Sequence, residues 1–321
     1  MRPIEMMELT GRILPEAVVA VRSEGELVAC DFYVEGIERR GEEVVGGYRL
    51  GRILNVDHHA PAPRMQRQIS STNLALELIH AGAEAIGKDP VVVVNHVDCD
   101  SLLSSAILAE RLPPEPRFGE AAIAADHTGE ENAIADLLQG IDAYLTQTTG
   151  STRRTIEQYQ FSLESLEQLL SGGSDHLDPL AREALEARLR KRGEAEALVS
   201  RGAIQKAGAL CFAVVDAPIE GELFFKLLPD AAVIMLANRL SGDPLRWQVK
   251  LRLGPAAPPG MSLFDLGIPE FDSNYGGRWN AGSNRRRDPV TGLRGTDLDP
   301  EDYASRLAER LENHLRRRSN S

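Results

Sequence analysis

In the first 150 residues, short continuous apolar runs alternate with stretches of helical spacing. Ala17–Val21, Leu27–Val34 and Tyr48–Val56 read as strands. The all-valine Val91–Val94, set off by Pro90, reads as a strand buried on both faces. Ala121–Ala125 is a further strand candidate. Thr72–Ile86 places Leu74, Leu78 and Ile79 on one side of a helix, with Ser70, Ser71 or Thr72 available as its cap. Ser101–Arg111 and Ala133–Ile141 repeat the helical pattern. This alternation predicts an α/β fold, a parallel sheet flanked by helices, over residues 1–150.

The pattern then changes. Over residues 151–205, leucines recur at helical spacing among many Glu and Arg side chains, with Gly172-Gly173 as an interruption, which predicts a helical linker. Over residues 206–321 strands return at Ala209–Val215, Ala232–Leu236 and Trp247–Leu253. A Gly- and Asn-rich loop, Asn274–Asn284, follows, flanked by Arg278 and Arg285–Arg287, and Pro300–Arg318 reads as an amphipathic helix with a basic tail. A smaller α/β C-terminal domain is the expectation.

The length of 321 residues exceeds what one core usually absorbs, in keeping with two domains. A formal net charge of -12 repels long polyanions, so a small phosphorylated substrate or the end of a short oligonucleotide fits better than extended duplex nucleic acid. The aromatic content of 5% gives little to a long single-strand stacking surface, although Trp279 could stack on one base. Cys30, Cys99 and Cys211 form no CxxC pair and suggest a reducing, cytoplasmic setting. Glu5 and Glu8 with no long apolar run argue against a signal peptide, and no stretch is long and apolar enough for a membrane span.

Four of the seven histidines, His58, His59, His96 and His127, lie in three short segments, each beside aspartate and at the end of a strand candidate. Ligands of open α/β sheets bind beyond the carboxyl ends of the strands. In His96-Val-Asp98-Cys-Asp100-Ser101 the chemistry-bearing residues alternate, so a continuing strand would point all three to one side as hard ligands for a divalent ion. Asp57-His58-His59 ends one strand candidate and Asp126-His127 another; the latter reads equally as a turn with a helix cap. Asp31 alone reads as an ordinary strand-end carboxylate. Gly276, Gly277, Arg278, Asn280 and Gly282 form either a phosphate-binding loop or a tight turn beside a solvated basic run. Cys99 is expected in the core.

Together, Asp57-His58-His59, the Ser70-Ser71-Thr72 helix start, His96-x-Asp98-x-Asp100-Ser101 and the late glycine loop resemble the DHH phosphoesterases with their DHH-associated C-terminal domain, RecJ-like and nanoRNase-like enzymes included. The motif order is permuted, with DHH ahead of HxDxDS, and Arg278-Trp279 stands where the family carries a histidine after its glycines. The resemblance implies two divalent ions, manganese first and magnesium or cobalt next. His96 and Asp98 would hold one, and His58, Asp100 and Asp126 the other. Either Asp31 or Asp126 would bridge them. Asp57 would orient a neighbouring imidazole, and His59 would stabilise charge on the phosphoryl group. Arg278 and the glycine loop would hold the substrate. A hydroxide activated by both metals would hydrolyse a phosphodiester or phosphomonoester of a small nucleotide or short oligonucleotide. A homodimer is possible. A non-catalytic nucleotide-binding protein on this scaffold, or a polyphosphate or pyrophosphate hydrolase, are the competing readings.

Overall fold

Apolar runs without polar alternation need cover on both faces, and Leu27–Cys30 and Val91–Val94 find it inside a sheet. The computed structural model describes residues 1–7, 13–82, 86–151, 154–285 and 292–319. The chain divides into two compact units, Met1–Arg190 and Lys191–Ser321.

The strands of the first unit are β1 (Ile4–Met6), β2 (Ile13–Leu14), β3 (Leu27–Cys30), β4 (Tyr33–Val34), β5 (Glu42–Val44), β6 (Gly47–Leu50), β7 (Ile53–Val56) and β8 (Val91–Val94). Six of them form one sheet in the order β1-β8-β3-β7-β6-β5. The first four are mutually parallel, and β6 and β5 run antiparallel at one edge. β2 and β4 pair separately. The helices are α1 (Glu16–Ala20), α2 (Ile37–Arg40), α3 (Ser71–Ala81), α4 (Cys99–Leu108), α5 (Pro116–Ile123), α6 (Ala133–Thr149), α7 (Ile156–Gly172) and α8 (Pro179–Ser200). Leu74 and Leu78 of α3, Leu102 and Leu103 of α4, and Tyr159 and Leu166 of α7 share one core with the sheet.

Several local expectations are corrected. Ala17–Ala20 is helical and Val21 caps its end, because Pro15 fixes an extended N-cap and Glu16 opens the first turn. Tyr48–Val56 is a hairpin: Gly51, at φ 56°, turns β6 into β7. Leu27–Val34 breaks at Asp31, which itself has a left-handed φ of 55°. Ala121–Ala125 lies in α5 and in a π-turn, Ala124–Thr128, since alanine favours helix over strand. The helix expected over Thr72–Ile86 ends at Ala81, and residues 83–85 lie outside the described residues. Residues 96, 98 and 100 do not alternate on a strand, because β8 stops at Val94 and α4 begins at Cys99.

The second unit carries a sheet in the order β13-β14-β12-β11-β10-β9. It is built from β9 (Gln205–Ala207), β10 (Leu210–Val214), β11 (Val233–Leu240), β12 (Asp243–Leu253), β13 (Gly276–Gly277) and β14 (Ala281–Ser283). Tyr303, Leu307 and Leu311 of α9 (Pro300–Ser319) pack with Val233, Met235, Val249 and Leu251. Ile234 and Leu236 turn the other way, toward Ala195 and Leu198 at the end of α8. No helix among the described residues is long and apolar enough to cross a membrane.

Candidate metal centre

β3 lies between β7 and β8, and all three run the same way, so their carboxyl ends meet at one edge where strand order reverses. Such a switch point opens a crevice beyond the strand ends. Asp31 follows β3, Asp57-His58-His59 follow β7, and Asn95-His96 follow β8. Asp98 and Asp100 enter from the start of α4, and Asp126 from the π-turn. Among the described residues, three ligand sets have atoms within 4.8 Å of one another: Asp31, His58 and His59; Asp31, His96 and Asp98; and His58, Asp100 and Asp126.

Asp31 is fully buried and splits its two oxygens. Oδ2 lies 3.1 Å from His96 Nε2, whereas Oδ1 lies 3.8 Å from His58 Nε2 and 3.6 Å from His59 Nδ1. Its left-handed backbone costs about 1–3 kcal/mol and is held by its surroundings. The Asp31 amide donates to the Val56 carbonyl at 3.0 Å. Asn55 donates from Nδ2 to the carbonyls of Ala29 and Phe32, and its Oδ1 accepts from the Val34 amide. Asn55 thus ties the hook that carries Asp31. A polar residue inside the apolar run Ile53-Leu-Asn-Val56 was its only signal in sequence.

His58 Nδ1 donates to the Ile69 carbonyl at 2.6 Å, which leaves the Nε2 lone pair facing Asp31, Asp100 and Asp126, the last at 3.4 Å. His127, in contrast, turns its Nε2 to that same Ile69 carbonyl, at 3.1 Å. His96 Nδ1 meets Asn95 Oδ1 at 2.7 Å, and Nε2 faces Asp31 and Asp98 at 3.1 and 3.2 Å. Asp98 divides its own carboxylate: Oδ1 accepts from the Ser101 amide as the cap of α4, and Oδ2 meets His96. Both oxygens of buried Asp100 accept from the first amides of α3, Ser71 and Thr72, at 2.7 Å each. A helix N-terminus favours a carboxylate there. The Ser71 hydroxyl donates to Asp31 Oδ1 at 2.8 Å, and the Thr72 hydroxyl to Asp100 Oδ1. Asp57 does not enter any of the three sets; its Oδ1 accepts from His59 Nδ1 at 2.7 Å.

Electrostatics follow from burial. Asp31 is raised to about 6, first by loss of water, then by the charges of Asp100 and Asp98, with His96 opposing. Asp100 is likewise raised to about 6, by loss of water and then by Asp126, while hydrogen bonds from Thr72 oppose. Burial, followed by the neighbouring aspartates, pushes the thiols of Cys30 and Cys99 upward, so both stay neutral core residues. A dication would relieve the carboxylate repulsion. The donors are oxygen and imidazole nitrogen, suited to magnesium, manganese or cobalt.

The C-terminal loop lies in the second unit as a hairpin. Gly277 pairs with Gly282, and the Arg278 amide donates to the Ala281 carbonyl at 2.8 Å. A Cβ on Gly277 would sit 2.3 Å from the Ala281 carbonyl oxygen, and one on Gly282 2.5 Å from the Tyr275 hydroxyl. Close strand approach therefore requires both glycines. Asn280 is buried, and its carbonyl accepts from the Leu253 amide. Trp279 packs against the second core. Arg286 and Arg287 lie outside the described residues.

No family model matches the chain. No curated protein matches it. Among solved structures, it is similar to the pGpG-specific phosphodiesterase PggH from Vibrio cholerae, at 12% identity over 72% of this chain and 84% of that one, with a TM-score of 0.42. It is also similar to RecJ of Thermus thermophilus in complex with Mn2+, at 13% identity over 83% of this chain and 39% of that one, TM-score 0.37. An exonuclease RecJ bound to manganese gives 12% identity over 92% and 71%, TM-score 0.39. All three scores lie below 0.5, and the chemistry of the site rests on its own geometry.

Proposed function

We propose that this chain is a metal-dependent phosphoesterase of the DHH type, acting on a phosphodiester or phosphomonoester in a small nucleotide or short oligonucleotide. One observation carries the reading: Asp31 offers one carboxylate oxygen to the His96 side and the other to the His58 side, an arrangement in which it would serve two ions at once. On this reading His96, Asp98 and Asp31 would hold one dication, and Asp31, His58, Asp100 and Asp126 would hold the second. Bound ions of this kind lower the pKa of water and neutralise charge on phosphoryl oxygens. His59, steered by Asp57, donates toward the phosphoryl group as charge develops. The N-terminus of α3 and the hydroxyls of Ser71 and Thr72 hold Asp100 and Asp31 in place. In the second unit, Arg278 with Gly276, Gly277, Asn280 and Gly282 is assigned to a second phosphate or the leaving nucleotide. The permuted motif order is compatible with this chemistry, because β3, β7 and β8 end on one edge whichever comes first in the chain.

The test is phosphate or nucleotide release from a dinucleotide, a short RNA, phosphorylated adenosine nucleotides and polyphosphate, with added Mn2+ and again after chelation. Metal-dependent release from a nucleotide member is expected. Release from polyphosphate alone, or from none with two ions bound, would overturn the reading.

A further inference from the structure

An open cavity of about 660 Å³ lies beside the DHH segment, within the usual size range of small-molecule sites. Its walls include Glu38, Arg39, Glu43, Tyr48, Pro61 and Pro63. Pro61 is two residues beyond His59, so that wall begins within about 7 Å of the His59 backbone. Tyr48 pairs with Asn55, one residue before the end of β7, which puts the cavity at the same edge of the sheet as the metal centre.

The lining is two-sided in character. Exposed Pro61 and Pro63 offer flat apolar surface, and Tyr48, only 5% exposed, backs them with its ring under the Arg64 guanidinium at 4.3 Å, whose Nε donates to the Tyr48 hydroxyl. The ring is therefore fixed in orientation. Against it stand two carboxylates. Glu38 receives the Tyr33 hydroxyl and Arg39 Nε, and Glu43, with a side chain 64% exposed, is held at 3.2 Å by Arg64 Nη1. A carboxylate has about four acceptor positions, so each keeps capacity for a donor from a ligand. Flat apolar walls accept a planar ring, and two acceptors at its edge favour rings that carry an amino group, which brings two N–H donors at once.

We infer that this cavity is the base subsite of the centre, taking a nucleobase with an exocyclic amine, read by Glu43 and Glu38. The inference rests on the nucleotide-hydrolase reading above. It goes beyond that reading by naming which bases the chain prefers and the side chains that read them. The phosphoryl group sits at the metals, and the attached base reaches the cavity along the Ala60–Pro63 segment.

Equilibrium binding of nucleoside monophosphates to the full chain tests it. GMP is compared with IMP, which lacks only the 2-amino group, and CMP with UMP, in which a carbonyl replaces the amine and N3 gains a proton; each pair shares its sugar and phosphate, so affinity for the metals cancels. GMP and CMP are expected to bind about tenfold more tightly than their partners. Glu43→Ala and Glu38→Gln are each expected to shrink that ratio toward one. A loosened Arg64 would weaken both members of a pair and leave the ratio standing. Equal binding within both pairs, or a preference unchanged in both variants, would overturn the inference. Failure of the hydrolase reading shows separately, as no release from any substrate of the panel.

Discussion

The backbone amide of Ser71 donates to Asp100 Oδ2 at 2.7 Å across 29 positions of sequence. This bond, with its neighbour from Thr72, joins the N-terminus of α3 to the first turn of α4. A carboxylate of the candidate metal centre thereby also accepts the first two amides of a core helix whose N-cap is Ser70, so site and fold share one set of contacts. Several outcomes depend on that sharing.

Thr72→Val keeps the shape of the side chain but removes its hydroxyl from Asp100 Oδ1. A buried acceptor that loses a donor costs about 1–3 kcal/mol. Urea unfolding of the chelated variant is expected to show a loss of that size, and metal affinity is expected to fall about tenfold or more.

Asp31→Asn removes the charge between the two ligand sets, and Asp98→Ala removes a ligand of one. Asp31→Asn is expected to lower the bound metal from two ions per chain, and Asp98→Ala to remove one. Both are expected to reduce turnover by more than about 100-fold, beyond the effect usual for outer contacts. Metal analysis of the dialysed proteins checks this. Two ions retained in Asp31→Asn with full turnover would remove Asp31 from the centre.

Asp57→Asn leaves every ligand of the three sets in place and weakens the hold on His59 Nδ1. The expected outcome is a fall in kcat of about 10–100-fold with metal content unchanged. Loss of metal in this variant would instead make Asp57 part of the coordination.

Asp31 and Asp100 have folded pKa values of about 6, above the ordinary 3.8. The folded, metal-free protein therefore holds protons that the unfolded chain has released. Their contribution to stability is fully present below about pH 4 and is lost as pH rises through 6. Chelated wild type is expected to lose stability over that window relative to an Asp31→Asn, Asp100→Asn double variant. Mn2+ at 100 times its Kd restores about 2.7 kcal/mol above the window, where the carboxylates are ionised. Thermal melts from pH 4 to 8, with and without Mn2+, measure both. Parallel pH profiles for the two chelated proteins would contradict the assignment.

Periodicity and residue type by themselves determined the α/β class and the helices at α3, α4 and α6. They also picked out the histidine–aspartate segments, because those features are local: a strand of valines, a capped helix, three polar residues directly after an apolar run. Local pattern failed where local preference was weak or misread. The alanines at 121–125 are helix formers, and the π-turn that follows them brings Asp126 to His58. Likewise the chain bends between β8 and α4, so His96, Asp98 and Asp100 face their partners from a strand end, a cap and a first helical turn. Asp31 was the least legible residue, an isolated carboxylate 65 positions from His96 and 40 from Ser71. Only the tertiary structure placed it beside His58 and His96, because the sheet order sets β3 between β7 and β8, and strand neighbours are chosen by burial and long-range pairing rather than by adjacent sequence.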